Sequence, residues 1–127
     1  MDGILIINKP QGYTSHDIVN IVKKALNTPK VGHTGTLDPN ATGVLPILIG
    51  KATKVSKYLI EHNKTYVAEL ALGEKSSTGD TEGEIIEKKE VPLLNEEQIK
   101  QVLKSFEGKQ MQTPPIYSSI KINGKKA

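Results

Sequence analysis

The chain of 127 residues contains no cysteine, no tryptophan and no arginine. Without cysteine, a disulfide framework and a zinc site built on thiolates are both excluded, and this absence is typical of a reducing compartment. Because all 17 basic residues are lysines, the forked guanidinium contact to phosphate or carboxylate is unavailable within these residues.

Long hydrophobic runs are also missing. No apolar stretch approaches the roughly 20 residues of a membrane-spanning helix, and Asp2 stands where a secretory signal peptide carries basic residues. We therefore expect a cytoplasmic protein with no membrane partner. Apolar residues make up 36% of the chain, which is low for a compact globule and predicts an open surface or a part of something larger.

Charge is unevenly distributed along the sequence. Residues 1–68 carry eight lysines and four acids, residues 69–107 carry five and ten, and residues 108–127 carry four and none. If the two basic ends meet in the fold, they form a basic face suited to a polyanion. A surface that is merely uneven in composition would give the same counts at a net charge of +3.

The apolar pattern predicts strands and helices without a regular βαβ order. It indicates an α+β domain, with a mixed, mostly antiparallel sheet flanked by helices. The predicted strands are residues 3–9, 44–50, 64–73, 83–90 and 116–124, and the predicted helices lie between Thr14 and Pro29 and over residues 51–63 and 95–108.

Several of these elements carry more specific expectations. Thr14 or Ser15 is the expected cap of the first helix, and Asp17 suits its first turn. The isoleucine-rich strand 3–9 is predicted to be buried. Pro46 cannot donate a backbone hydrogen bond, which favours an edge or irregular strand over 44–50. In helix 51–63 the lysines at 51, 54 and 57 form an exposed ridge. In helix 95–108, Asn95 is the expected cap, and the predicted buried stripe is Ile99, Val102, Leu103 and Phe106.

Residues 32–43, GHTGTLDPNATG, combine three glycines and three threonines with a single acid, Asp38. Glycine lets the backbone approach a ligand closely or take a positive φ, and the threonines add hydroxyls without charge. Pro39 disfavours a helix at the residue before it, so the carboxylate would be presented from a rigid loop. A carboxylate beside such open backbone is a candidate nucleophile or base.

Other interpretations of these residues remain open on the sequence alone. Asp-Pro-Asn is a turn signal in which the carboxylate can accept hydrogen bonds from nearby N–H groups. His33 could donate to a phosphate or simply be hydrogen-bonded within its loop.

Residues 43–53 imitate a phosphate-binding loop, but their glycine spacing is wrong. Residues 80–84 imitate a calcium loop with a misplaced glycine, and the three histidines have no metal-ligand spacing.

Five segments stand in the order found in the bacterial tRNA pseudouridine synthase B family, which the chain resembles over essentially its whole length. The most specific is GHTGTLDPNATGVLPILIGKATK (32–54). The others are INKPQGYTSHD (7–17), KTYVAELALG (64–73), STGDTEGEI (77–85) and PPIYSSIKINGKK (114–126). The resemblance implies an isomerase that flips uridine 55 out of the tRNA T loop and converts it to pseudouridine, without a metal or other cofactor.

The resemblance also implies roles for individual residues. Asp38 resembles the catalytic aspartate, and His33 resembles the histidine that contacts RNA and helps hold the target nucleotide out of its loop. Tyr66 resembles the tyrosine that stacks on the flipped base, although a plain core or edge tyrosine would also suit its predicted strand. With Pro10, Lys9 matches the motif that supports the active-site loop. Lys9 is also counted among the substrate-binding positions, together with Thr36, Lys64 and, in a polar loop, Asp80.

Members of this family continue past the length of this chain. The resemblance therefore implies that residues 1–127 are the N-terminal portion of a catalytic domain, without its remainder or a C-terminal RNA-binding domain. An arginine that pairs with the aspartate in the family is missing, so weak or no activity is expected of these residues alone. No obligate protein partner is expected, and an exposed sheet edge would invite self-association.

Two further functions are compatible with the same sequence. One is a non-catalytic module that binds or folds tRNA. The other is an enzyme acting on nucleotide phosphates through the glycine-rich loop, which predicts binding of nucleotide and magnesium.

Overall fold

The computed structural model describes residues 1–59 and 63–114, together with the backbone of residues 121–122 and 125–126. The chain forms two compact units, Met1–Tyr66 and Val67–Ala127. Both units contain antiparallel strands and an α-helix, which confirms the predicted α+β class. Among the described helices, none combines the length and the apolar character needed to cross a membrane.

The first unit is built on a three-stranded antiparallel sheet. β1 (Gly3–Lys9) and β2 (Val31–His33) pair with opposite edges of β3 (Gly43–Ile49). The register places Lys9 opposite Gly43 and His33 opposite Ile47. The end of β1 therefore lies beside the start of β3, where the glycine-rich segment joins the sheet.

Helix α1 (Ser15–Leu26) packs on this sheet and begins at a capping box. The Thr14 hydroxyl accepts a hydrogen bond from the Asp17 N–H, and the Asp17 carboxylate accepts one from the Thr14 N–H. Both partners are within three residues, which is why the sequence predicted this helix start. The core that α1 forms with the sheet and loop consists of Ile18, Val19, Val22, Leu37, Leu45, Ile47 and Ile49.

Strand β1 is confirmed, but its predicted burial is wrong: Ile7 is half-buried, and the other apolar residues of the strand are exposed. Ile4 and Ile6 are 54% and 60% exposed, whereas Lys9 is fully buried. Successive side chains of a strand point to opposite faces; Ile7 packs against the core, whereas Leu5, on the same face, is 38% exposed. An apolar run therefore identified the strand without identifying how far its side chains would be covered.

Pro46 corrects a second prediction, because β3 is the central strand of this sheet and not an edge strand. The Pro46 carbonyl accepts a hydrogen bond from the Thr34 N–H at 3.2 Å. In an antiparallel strand, the N–H and C=O of one residue point to the same side. The Pro46 nitrogen, which carries no hydrogen, therefore faces Thr34, just beyond the last residue of β2. Proline is tolerated there because β1 loses no hydrogen bond to it.

The predicted continuous helix over residues 51–63 is wrong in its first part. Gly50–Val55 form a 3₁₀ helix, and α2 is the single turn Ser56–Leu59. Two contacts favour the tighter turn. The Lys51 N–H donates to the carboxylate of Asp2, which is distant in sequence, and the Thr53 hydroxyl donates to the nearby Gly50 carbonyl. The lysines at 51, 54 and 57 are exposed as predicted, and residues 60–62 lie outside the described residues.

The second unit contains a hairpin and a helix. β4 (Glu74–Ser76) pairs with β5 (Ile85–Lys88), and α3 (Glu96–Lys104) begins at a capping box between Asn95 and Gln98. β5 and α3 confirm their predictions, whereas β4 was not predicted. β6 (Lys121–Ile122) pairs with β7 (Lys125–Lys126), and most of the predicted strand 116–124 lies outside the described residues.

Two predictions for this part of the sequence are wrong. Residues 64–72 are exposed and form no strand, because alternation makes a strand only where a neighbour supplies N–H and C=O partners, and no described segment does so. The stripe on α3 and just beyond it is also uncovered, with exposures from 43% for Ile99 to 65% for Phe106. Helical periodicity identified the apolar face but not a partner for it.

Candidate active site

The glycine-rich segment forms a loop, residues 34–42, between β2 and β3. Gly35 has φ +72° and Gly43 has φ +136°. Both are positive φ values, which residues with a Cβ atom rarely adopt. These two glycines let the chain leave β2 and enter β3 within nine residues. The loop emerges at the end of the sheet where β1 also ends.

On one side of Asp38, Leu37 anchors the loop in the core. Its side chain is only 8% exposed and belongs to the core cluster with α1 and β3. Ser15 accepts a hydrogen bond from the Leu37 N–H at 3.0 Å and donates one to the Leu37 C=O at 3.2 Å. One buried hydroxyl therefore satisfies both backbone polar groups of a buried residue.

On the other side of Asp38, Pro39 is held by the turn that follows β1. The fully buried Lys9 Nζ donates to the carbonyls of Pro39 at 3.2 Å, Pro10 at 2.9 Å and Tyr13 at 2.7 Å. The Gly12 N–H also donates to the Pro39 carbonyl, at 2.9 Å. A buried ammonium is costly unless its three donors are satisfied, and these three carbonyls satisfy them.

Lys9 thus ties the loop to the neighbouring turn from beneath. Its ammonium is enclosed, so a direct contact with a substrate would require these hydrogen bonds to open. The structure therefore gives Lys9 a supporting position.

Between the two anchors, the Asp38 side chain is exposed. Within residues 1–59 and 63–114, its carboxylate takes part in no hydrogen bond and no ion pair. The turn is closed by the backbone instead, since the Asp38 carbonyl accepts from the Ala41 N–H at 3.0 Å. The alternative in which turn N–H groups consume the carboxylate does not describe this loop. The carboxylate thus has no partner in the described part of the chain, and the backbone that carries it is held on both sides.

His33 and Thr34 lie where β2 passes into the loop. Burial lowers the pKa of His33, and the nearby charge of His16 lowers it further, so the imidazole is mainly neutral at pH 7. His33 Nδ1 and Thr34 Oγ1 are buried atoms for which the described residues provide no hydrogen-bond partner. Such atoms are uncommon in folded proteins, and they border the loop that presents Asp38.

Lys64 and Thr36 are brought together, because the Lys64 Nζ donates to the Thr36 carbonyl at 3.1 Å. Lys64 Cε also lies 3.8 Å from the position that a Cβ on Gly35 would occupy. Tyr66 follows two residues later and is 58% exposed. It is therefore not a core tyrosine, and the segment that carries it starts against the glycine-rich loop.

Asp80 belongs to the second unit, in the loop between β4 and β5. Its carboxylate accepts hydrogen bonds from the Thr78 hydroxyl at 2.6 Å and from the Glu82 N–H at 2.9 Å. The bond from Thr78 and then that from Glu82 lower the pKa of Asp80. These contacts give Asp80 a role in shaping its own turn.

Ser15 is a residue of this site that the sequence did not identify. Sequence patterns indicate it only as an alternative to Thr14 as the helix cap. Its partner Leu37 is 22 residues away, and no local pattern links the two positions. Only the packing of α1 against the loop brings them together.

A family model described as "TruB family pseudouridylate synthase (N terminal domain)" matches residues 23–127. Among curated relatives, the proteins named tRNA pseudouridine synthase B of Alkaliphilus oremlandii and Bacillus subtilis are 56% and 51% identical to this chain. Each alignment covers 99% of this chain, but only 42% and 41% of the two relatives. The chain therefore spans about two fifths of the length of these relatives.

Solved structures agree with this relationship. The crystal structure of a Cbf5-Nop10-Gar1 complex matches with a TM-score of 0.61 and 35% identity, over 94% of this chain and 31% of that chain. A structure of an H/ACA RNP bound to a substrate RNA containing 2'-deoxyuridine matches with a TM-score of 0.58 and 32% identity, over 97% of this chain and 35% of that chain. The predicted resemblance is confirmed, and the chain belongs to the TruB family of pseudouridylate synthases.

Proposed function

We propose that this chain carries the catalytic aspartate of a tRNA pseudouridine synthase that converts uridine 55 of the T loop to pseudouridine. The observation that carries the proposal is Asp38, an exposed carboxylate without a described hydrogen-bond partner, between two anchored neighbours. The family, and the name tRNA pseudouridine synthase B of its relatives, support pseudouridine formation in tRNA as the reaction. The activity of the whole protein is part of the proposal, because the chain spans only two fifths of those relatives.

The reaction suits a lone carboxylate. The N1–C1′ bond of uridine breaks, the uracil turns, and a C5–C1′ bond forms, while C5 loses its proton and N1 ends protonated. Atoms and electrons balance without an oxidant, a reductant or a water molecule. A positioned carboxylate could attack C1′ or C6, or remove a proton at C2′. Asp38 is suited to each of these steps, because no described residue occupies its carboxylate.

The base must leave its stack before an acid can reach these atoms. Extruding a nucleotide costs a few kcal/mol, and stacking on an aromatic side chain returns roughly 1–3 kcal/mol. Tyr66 is proposed as this platform because it is exposed and follows Lys64, which touches the loop. His33 is proposed to contact the RNA backbone, through an imidazole that is mainly neutral at pH 7.

Exposed lysines provide a surface for phosphates. Lys51, Lys54 and Lys57 lie along the 3₁₀ helix and α2, and they would position RNA without reading its sequence. We expect tRNA affinity to fall steeply with salt, because lysine–phosphate contacts release counterions. A salt-independent affinity would contradict a role for this lysine ridge.

Release of tritium from tRNA labelled at uracil C5 tests the proposal, with the protein purified at its native length. Asp38→Ala is expected to abolish release while leaving tRNA binding intact. Asp2→Asn is the matched control, since this acid lies at the other end of β1 and, among the described residues, its carboxylate accepts from the Lys51 N–H alone. Equal release by wild type and Asp38→Ala would refute the catalytic role. Binding without any release by wild type would favour a tRNA-binding module.

A further inference from the structure

The hydroxyl of Ser15 acts on the backbone next to Asp38. It accepts from the Leu37 N–H and donates to the Leu37 C=O, at 3.0 and 3.2 Å. Ser15 is 3% exposed and Leu37 is 8% exposed, so water does not readily replace either bond. Helix α1 thereby holds a loop residue that is 22 positions away in sequence.

Because peptide bonds are planar, the restraint on the Leu37 backbone also limits the orientation of Asp38. The Leu37 carbonyl lies in the planar peptide unit that joins Leu37 to Asp38, and Ser15 holds that oxygen. The next peptide unit is held as well, since the Asp38 carbonyl accepts from the Ala41 N–H. With both flanking units held, the freedom left to Asp38 is chiefly rotation of its side chain.

We infer that Ser15 is a positioning residue for Asp38, and that its hydroxyl sets the direction from which the carboxylate meets the substrate. This inference rests on the proposed function. Ser15 touches neither substrate nor reacting atoms, and it acts only through the Leu37 backbone. A misplacement of about 1 Å can cost ~10²-fold in rate, so loss of this hydroxyl should lower kcat far more than it changes KM.

A role limited to the stability of α1 is the alternative, because Ser15 is also the first residue of that helix. Thr14 distinguishes the two roles. Its hydroxyl caps the same end of α1 by accepting from the Asp17 N–H, but its side chain has no described bond to Leu37. Thr14→Ala therefore weakens the helix start without releasing the loop.

The experiment compares Ser15→Ala, Ser15→Thr, Thr14→Ala and Asp38→Ala in the protein at its native length. The kcat and KM for tRNA come from tritium release, and hydrogen exchange at the Leu37 amide is measured in parallel. We expect Ser15→Ala to lower kcat by about 10–100-fold, to change KM by less than threefold, and to speed exchange at Leu37. Ser15→Thr should restore kcat, and Thr14→Ala should leave kcat within about twofold of wild type.

The outcomes separate this inference from the proposed function. If Asp38→Ala abolishes release but Ser15→Ala keeps a wild-type kcat or a protected Leu37 amide, the positioning role is overturned. Equal losses of kcat in Ser15→Ala and Thr14→Ala would also overturn it, in favour of helix stability. If Asp38→Ala remains active, the proposed function fails instead, and the inference falls with it. Should Ser15→Ala not fold, Ser15→Cys replaces it, because a thiol weakens both hydrogen bonds but keeps the side chain.

Discussion

The two units of this chain differ in how their apolar residues are covered. Between Met1 and Tyr66 a core forms in which Leu45, Ile47 and Leu48 are fully buried. Between residues 67 and 114 no side chain is buried, and the apolar residues of α3 are exposed. Both regions nevertheless have a capped helix and antiparallel strands.

This contrast shows that short-range sequence features are enough to form helices and strands, whereas a functional site needs a packed core to hold its residues in place. Caps and turn residues act within a few positions, so they are equally effective in both regions. The Asp38 loop needs more, because Leu37, Ser15 and Lys9 hold it only through the core on which they rest. The candidate active site therefore depends on the region whose core is complete enough to support it.

The largest expected effect compares two leucines. Leu45→Ala removes a fully buried side chain of β3 and should lower the free energy of unfolding by about 2–5 kcal/mol. Leu103→Ala, at a residue that is 60% exposed, should change it by no more than about 0.5 kcal/mol. Urea denaturation monitored on the amide signals of β3 measures both. Equal losses of unfolding free energy in the two variants would contradict the proposed difference between the two regions.

A smaller effect is expected at the two lysines that contact the loop. Lys9→Met retains the buried stem but leaves the carbonyls of Pro10, Tyr13 and Pro39 without this donor, which should cost about 1–3 kcal/mol. Lys64→Met is the matched control, because Lys64 is exposed and its Nζ donates to one carbonyl among the described residues, that of Thr36. The same denaturation experiment checks the pair. A stability loss in Lys64→Met as large as that in Lys9→Met would contradict the supporting role.

The two capping boxes sharpen the comparison further. Thr14→Ala and Asn95→Ala each remove a helix cap, at a cost of about 1 kcal/mol. Thr14→Ala should lower the stability of the first unit as a whole, since α1 belongs to its core. Asn95→Ala should only speed amide exchange within α3. Faster exchange across β3 in Asn95→Ala would contradict this difference between the two caps.

The smallest effect concerns pH, and it should arise in the first unit because the second contains no histidine. Burial keeps the pKa of His33 below its ordinary 6.5, so the unfolded chain binds more protons as the pH falls below that value. Stability should therefore decrease from pH 7 toward pH 5. Melting temperatures of wild type and His33→Gln test this, and His33→Gln should have the flatter profile. An identical profile would assign the effect to another group.

Asp17 affects the same stability profile at a lower pH than His33. Hydrogen bonds from the Thr14 backbone and hydroxyl lower the pKa of Asp17 from its ordinary 3.8. Its stabilising contribution is therefore present above that value and is lost as the pH falls through the lower, folded-state pKa. Because Asp17 is exposed, the effect is small, and Asp17→Asn should remove it.

Features determined by near neighbours could be predicted from the sequence. The Thr14–Asp17 box and the Asn95 cap each involve residues three positions apart, and the glycine-rich motif pointed to Asp38. The central position of Pro46 could not be predicted, because it depends on where β2 ends. The Ser15–Leu37 contact and the exposure of α3 also depend on which elements pack together, and the sequence patterns do not contain that information.

The central claim is that the Asp38 carboxylate is free for chemistry because other groups hold its loop. Asp38→Asn tests this most directly, since it removes the charge and nearly preserves the shape. We predict a single-turnover rate of tritium release lower by about 10²–10⁴-fold, with a free energy of unfolding within about 0.5 kcal/mol of wild type. A rate close to wild type, or a large loss of stability, would contradict the account.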